Sequence, residues 1–333
     1  MAGGVSEFEL IERLKSRAGT SARLLNGIGD DASVTHGSGL TVTSVDAVVD
    51  GIHFRREWSG PGSIGIKAVA TALSDLAAMA ARPGEVYVAL GLPADVEEAY
   101  VEELAASVIR TAEGAGAVLA GGDTVTSPVL FLSVTAVGHA GQAEDLVLRS
   151  GARPGHAVAV TGHLGGAAAG LRLLENRELA EGLEPDVRKA LIGRQLEPKA
   201  RLVEARLLAA GGAAAMIDVS DGLAADLGHI AEASRVRINL ESAYLPVQPG
   251  VAEVAAADPA GDMPQGTDFA LAGGEDYELA LTLDHSTFEA VRTELRAIGC
   301  ELTKVGSVVE GRGVVVTSGG RPVDAPAGHE HLG

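Results

Sequence analysis

Hydrophobic and polar positions along the 333-residue chain follow two alternating rhythms. LTVTSVDAVV (40–49), EVYVALGL (85–92) and VLFLSVTAVG (129–138) are rich in Val and alternate in places, which predicts strands. Between them, SIGIKAVATALSDLAAMAA (63–81) and ADVEEAYVEELAASVIRTAEGAG (94–116) carry apolar residues at helical spacing. Gly and Pro cluster at RSGARPG (149–155), where the rhythm breaks, so a boundary is expected near 145–155, dividing residues 1–148 from 149–333. The second half restarts with AVAVTG (157–162), a strand running into GHLGGAAAG and a helix. PKARLVEARLLAA (198–210), DGLAADLGHIAEAS (221–234) and FEAVRTELRAIG (288–299) read as helices, and AAAMIDVS (213–220) and ELALTLD (278–284) as strands. TKVGSVV and GVVVTSGG read as a closing hairpin. The fold class expected is α/β (or α+β), with two domains because this length exceeds what one core usually serves.

Composition changes this picture little. Hydrophobic residues at 46% and charged residues at 21% describe a globular chain, with cores of Ala, Val, Leu and Ile because aromatics are only 3%. The net charge of −19 argues against nucleic acid or an anionic membrane as partner. One cysteine, Cys300, excludes an internal disulfide and a Cys-rich zinc site. The N-terminal MAGGVSEFELIERLKSR reads as an amphipathic helix and not as a signal peptide, and the longest apolar run is broken by Asp75. A soluble, cytoplasmic protein is expected.

The acids carry the chemistry. GIGDDASV sets Asp30 beside Asp31 in a Gly-rich stretch with no apolar cover. Lys67, Thr71, Ser74 and Asp75 fall at i, i+4, i+7 and i+8, one polar stripe on an otherwise apolar helix. A solvated face would explain the stripe on an ordinary surface helix; the apolar remainder here points to a cleft instead. Asp46 stands inside a predicted strand, where Asp is disfavoured unless the position is an exposed edge. In DVSDGL, Asp218 ends a strand and Ser220 or Asp221 caps the next helix, which accounts for one acid and not both. LAGGDTV (119–125) and LAGGEDY (271–277) share Leu-Ala-Gly-Gly-acid and suggest one device used twice, a tight turn presenting Asp123 or Glu275. Hard oxygen donors without Cys or clustered His select Mg²⁺, and Mg²⁺ on a few carboxylates implies phosphate as a further ligand.

The chain has no G-x-x-x-x-G-K-[ST] loop. GIGDDA matches G-x-G-x-x-A without the strand and helix that a dinucleotide site needs. VAVTGHLGGAAAGL has that context but lacks an acid at the end of a next strand about 20 residues on, which leaves a nicotinamide enzyme a minor alternative.

GIGDD, SVDAVVDGIHF, KAVATALSDLAAM, GGDT, LRSGARPG, VTGHLGGAAAGL with IDVSDGLAADLGHI, and GGEDYEL occur in an order that resembles the thiamine-monophosphate kinase family, relatives of aminoimidazole-ribonucleotide synthetase. The match runs from about Glu7 almost to the end. The resemblance implies ATP-dependent phosphorylation of thiamine monophosphate to thiamine diphosphate, several Mg²⁺ ions, and a homodimer formed through a β-rich N-terminal domain. It implies a metal shell of Asp30, Asp31, Ser44, Val45, Asp46, Asp75, Asp123, Asp218 and Asp221, with Asp46, Asp123 and Asp218 catalytic. Nucleotide contacts implied are Gly122, Asp123, Arg149 and Ser220, and substrate contacts are His53 and Glu275. Val45 stands where relatives often carry Thr or Ser, so a metal contact there falls to its carbonyl. Ala115 stands near a Tyr of many relatives, and GHEHLG replaces an aromatic ending, with His329 or Leu332 in place of a ring. Rivals are a selenophosphate or purine-pathway synthetase of the same superfamily, or an acidic Ca²⁺-binding interaction protein. The first would want a reactive Cys near the N-terminus, and the last would want EF-hand loops or acidic repeats.

Overall fold

A computed structural model describes residue 13 and residues 15–26, 34–37, 39–258 and 261–323. The chain divides into two compact units, residues 1–76 with 81–145, and residues 77–80 with 146–333. The α/β expectation holds in its α+β form, because both large sheets are mainly antiparallel.

The first unit begins with a short antiparallel pair, β1 (Leu24–Asn26) and β2 (Val34–Thr35). Its main sheet has β3 (Leu40–Val49), β4 (Arg82–Leu92), β5 (Val118–Thr126) and β6 (Phe131–Ala140) in the order β3-β6-β4-β5. Only β4 and β5 run parallel. Along β6, Leu132, Val134 and Ala136 are buried while Ser133, Thr135 and Val137 between them are half-buried, the period-two signature of a sheet with one covered face. Helices α1 (Pro61–Ala78) and α2 (Glu98–Gly114) lie against each other where Gly65 meets Leu104, and Leu76 of α1 reaches Gly138 on the covered face.

The second unit adds β7 (Ala157–Thr161), α3 (Gly166–Glu175), α4 (Pro185–Leu196), α5 (Leu202–Ala210), β8 (Ala215–Asp218), α6 (Leu223–Ser234) and β9 (Arg237–Glu241). It continues with α7 (Val251–Ala257), α8 (Gly266–Ala272), β10 (Leu279–Leu283), α9 (Phe288–Ala297), β11 (Leu302–Val309), β12 (Gly313–Ser318) and β13 (Arg321–Val323). Its seven strands are ordered β13-β12-β9-β11-β7-β10-β8. Strands β7, β8 and β10 are buried at every position, which explains why AVAVT, AMID and LALTL read as continuous runs. One face packs on Leu223, Leu227 and Ile230 of α6, the other on Leu208 of α5 and Phe288, Val291 and Leu295 of α9.

The closing hairpin is overturned: β9 lies between β11 and β12, pairing antiparallel with the first and parallel with the second. Strand β9 was hidden because RINLE is short and flanked by charge. The repeated LAGG device is overturned as well. Gly121 and Gly122 lie inside β5, and a Cβ on Gly122 would stand 2.2 Å from the Val88 carbonyl oxygen, so close strand approach and not a turn demands glycine. Residues 271–275 instead run from the end of α8 into a loop.

At the centre of the second unit is Glu278, 0% exposed. It accepts hydrogen bonds from Arg194 Nη2 at 2.9 Å, Arg201 Nε at 2.7 Å and Thr161 Oγ1 at 2.7 Å. Removing it strands two guanidinium groups in poorly solvated positions. Glu278→Ala should lower unfolding stability by about 3–5 kcal/mol, with Glu278→Gln clearly milder. Urea titration followed by circular dichroism measures both; an alanine variant within about 1 kcal/mol of the parent would contradict this account.

Candidate active site

In the first unit, Val42, Ser44, Asp46 and Val48 alternate onto one side of β3, with Val42 and Val48 buried. From that side Ser44 Oγ donates a hydrogen bond to the Asp75 carboxylate on α1. Asp75 sits in the last turn of α1, where the helix dipole opposes an anion, so a hydroxyl donor or a cation is the partner its charge needs. The polar stripe below it is not solvated: Lys67, Thr71 and Ser74 are 2%, 3% and 0% exposed, and Thr71 Oγ1 returns to the Ala68 carbonyl at 3.0 Å. Asp46, half-buried, accepts the Ala47 amide at 2.6 Å. Val45 lies on the other side, 65% exposed.

Asp123 is exposed on β5 and accepts the Thr124 amide at 2.9 Å. The register sets it in the row Ala47, Ser133, Ala89, Asp123, while Asp46 shares the adjacent row with Val134, Val88 and Gly122. Adjacent rows face opposite sides, so Ser44, Asp46 and Asp75 share one side and Asp123 leaves from the other. His53 is half-buried and its Nδ1 accepts the Val49 amide at 3.2 Å, closing the turn in which Asp50 bridges Phe54. Ala115 closes α2. Asp30, Asp31, His329 and Leu332 lie outside the described residues.

In the second unit, Asp218 ends β8 and is 4% exposed, and Ser220 and Asp221 follow, half-buried, in the loop before α6. GGEDYE runs alongside this loop: the Glu275 amide donates to the Ser220 carbonyl and the Tyr277 amide to the Val219 carbonyl, both at 2.8 Å. Gly274 is required there because a Cβ would stand 2.5 Å from the Ser220 carbonyl oxygen. Asp218, Ser220, Asp221 and Glu275 therefore belong to one local assembly. Arg149 is exposed, in a loop pinned by Ser234, whose Oγ donates to the Arg149 carbonyl and accepts the Gly151 and Ala152 amides.

Two internal carboxylates and a glutamine escaped the sequence reading. Asp226, 1% exposed, accepts the amides of Ser220, Asp221 and Gly222. Burial, then Asp218 and Asp221, push its carboxyl up to about 8. Asp276 accepts the Gly165 amide at 2.6 Å and the Ala167 amide at 3.2 Å, so it occupies the N-terminus of α3 in the glycine loop. That loop, the better-placed candidate for a dinucleotide, has its amides committed within the chain. Gln195 Nε2 donates to Glu275 at 2.7 Å. In the sequence the two carboxylates are only an acid two residues after Gly274 in GGEDYE and one four residues after Gly222 in SDGLAAD.

Among the described residues no three His, Cys, Asp or Glu groups form a metal cage. The donors present are carboxylate and hydroxyl oxygens, the set Mg²⁺ prefers, and pairs such as Ser44–Asp75 suit an ion that also takes ligands from bound phosphates. No helix among the described residues is long and apolar enough to cross a membrane.

Comparison with known proteins agrees with this division. Residues 29–140 match the family model described as AIR synthase related protein, N-terminal domain, and residues 153–319 match its C-terminal domain. These matches set the class, the AIR synthase related proteins. A thiamine-monophosphate kinase of Mycobacterium tuberculosis is 43% identical over 280 residues, 83% of this chain and 80% of that one. The crystal structure of thiamine-monophosphate kinase from Stenotrophomonas maltophilia K279a superposes with TM-score 0.84 at 36% identity, covering 96% of this chain and 98% of that one. AaThiL complexed with AMPPCP and TMP gives 0.77 at 33% identity, covering 98% and 97%. The chain belongs to the thiamine-monophosphate kinase family.

Burial raises the Asp276 carboxyl to about 6, against the pull of Arg194 and the two amides. The folded state therefore holds this proton more tightly than the unfolded chain does. Stability from this site is full below about pH 4 and is lost as pH rises through about 6. Asp276→Asn keeps a neutral acceptor at the α3 terminus, so the stability difference between the variant and the parent should shift in the variant's favour between pH 4 and 7. Paired urea titrations across that range test it; a difference independent of pH would refute the assignment.

Proposed function

We propose that this chain transfers the terminal phosphoryl group of ATP to the phosphate of thiamine monophosphate, yielding thiamine diphosphate and ADP. The reading is carried by the likeness, across nearly the whole chain, to a thiamine-monophosphate kinase and to AaThiL complexed with AMPPCP and TMP. The site chemistry supports it. A phosphomonoester has its second pKa near 6, so at neutral pH the acceptor oxygen is already a nucleophile and no general base is needed. That agrees with a candidate site dominated by carboxylates, hydroxyls and main-chain groups.

The obstacle is charge: a dianion must approach a triphosphate of about 4 negative charges, a repulsion of several kcal/mol even at high effective dielectric. Mg²⁺, when bound, offsets that repulsion and stabilises charge on the transferring group. In this reading the ions are held by more than one set of donors, Ser44, Asp46 and Asp75 on one side of the first sheet, Asp123 from its other side, and Asp218 and Asp221 in the second unit, with Asp30, Asp31 and the Val45 carbonyl completing the shell. Gly122, Asp123, Arg149 and Ser220 bind nucleotide. His53 and Glu275 bind thiamine monophosphate, His53 through a ring whose Nδ1 is already fixed by Val49. Residues 1–148 form the metal-binding and dimerising domain, and residues 149–333 complete the nucleotide and substrate site. Transfer is direct and in line.

A homodimer through the sheet of the first unit is part of this proposal. The β3 side opposite Ser44 carries Val45, 65% exposed, and the same row system carries Ala47 and Ala89, both exposed, and Val125, 44% exposed. Asp123 leaves from this side too, at the far edge on β5, so the seat proposed for a second copy is the β3 edge around Val45 and Ala47. With a single cysteine and no disulfide, the cytoplasm is the proposed compartment.

With ATP, Mg²⁺ and thiamine monophosphate, the protein should form thiamine diphosphate, detectable as its fluorescent oxidation product. Asp123→Asn should lower kcat at least about 100-fold with an unchanged melting temperature, and near-normal turnover would remove its assigned role. Val45→Lys places a charge on the exposed sheet face and should shift sedimentation from dimer toward monomer; an unshifted dimer would place the interface elsewhere.

A further inference from the structure

Asp226 gathers three main-chain amides beside the candidate site, and the functional assignment gives it no part. It lies in the first turn of α6, 1% exposed. Its Oδ2 accepts three consecutive amides, Ser220 at 3.0 Å, Asp221 at 3.2 Å and Gly222 at 3.1 Å. Three successive amides turned to one point make an anion-binding concavity, and here the chain fills it from within. Other contacts touch the loop but not these amides: a Cβ at Gly222, φ +120°, would stand 2.7 Å from Ala272 Cα, and the Ser220 carbonyl accepts the Glu275 amide.

We propose that Asp226 is a positioning residue for phosphoryl transfer: by gathering the amides of Ser220, Asp221 and Gly222 onto one oxygen, it fixes the loop that presents Ser220 and Asp221. The proposal rests on the functional reading above, in which these two residues serve nucleotide and metal. Without the acceptor, the three amides turn outward toward solvent or phosphate, and the Ser220 and Asp221 side chains lose their aim. Asparagine in the same place still offers one oxygen to the three amides, so acceptor geometry separates from charge.

The test compares Asp226→Ala with Asp226→Asn in the full chain. In metal-free, nucleotide-free protein, the amides of residues 220–222 should exchange at least about 100-fold faster in the alanine variant and within about fivefold of the parent in the asparagine variant. In the kinase assay the alanine variant should need about 10–100-fold more Mg²⁺ for half-maximal rate and show a raised KM for ATP. Its KM for thiamine monophosphate should stay within about twofold, and the asparagine variant should recover most of the loss. Unchanged amide exchange in the alanine variant, equal impairment of the two variants, or an equal rise in both substrates' KM would each overturn the proposal. A parent protein that makes no thiamine diphosphate would sink the functional reading, while the exchange data would still decide whether Asp226 orders the loop.

Discussion

Burying a carboxylate is costly unless every lone pair finds a donor, and the second unit is organised around meeting that requirement twice within three residues. Asp276 and Glu278 are 1% and 0% exposed. Asp276 takes the α3 amides, and Glu278 takes Arg194, Arg201 and Thr161. Thr161 in turn accepts the Leu279 amide at 2.9 Å, so strands β7 and β10 are tied by side chains as well as by their ladder. Gly162 follows: a Cβ there would stand 2.4 Å from Glu278 Oε1. Gly162 thus owes its place to a buried acid, while at Gly165 a Cβ would stand 2.9 Å from Phe269 Cβ.

The backbone of GGEDYE shows what that requirement imposes. Glu275 and Tyr277 have φ of +65° and +50°, positions that L side chains adopt at a cost of about 1–2 kcal/mol each. Asp276 and Glu278, between and after them, accept the hydrogen bonds that hold the segment in this conformation. Glu275 is thereby delivered next to the Ser220 carbonyl with its side chain held by Gln195. Strain placed in a segment that presents a candidate substrate residue is a pattern expected where conformation must be fixed before the ligand arrives.

Much of the fold was legible because its signals are local. LTVTSVDAVV is β3 from end to end, α2, α6 and α9 lie within the predicted windows with their ends trimmed by a few residues, and α1 starts two residues before its window, at Pro61, and ends three before its close. The misses share a cause. Pairing β12 with β9 is a decision made across the sheet, where the short connection from Val309 to Gly313 argued for a hairpin. Short α7 and α8, seven residues each, owe their stability to the cluster of Leu173, Leu191, Val254 and Phe269 and not to propensity. In the candidate site, the acids at strand ends and turns stood out because their positions are locally unfavourable. Asp226 and Asp276 did not, because an acid in the first turn of a helix or after a Gly-Gly is locally ordinary. What makes them unusual is the amides that three-dimensional structure brings to them.

That contrast separates the acids into two populations by what the protein itself supplies. Asp226, Asp276 and Glu278 are buried and each accepts two or more hydrogen bonds from within the chain, so they shape loops. Asp46 and Asp123 each accept a single main-chain amide from the next residue, and both remain open to solvent. An aspartate that hydrogen-bonds only its own neighbour keeps most of its four lone-pair positions for another partner. In a chain already carrying −19, the partner that lowers the energy of such a group is a cation, and its hard oxygen favours Mg²⁺ over a softer ion. A protein that fills some acids from within and leaves others open in this way separates, through hydrogen-bond supply, the carboxylates that build the fold from those still able to take a cation.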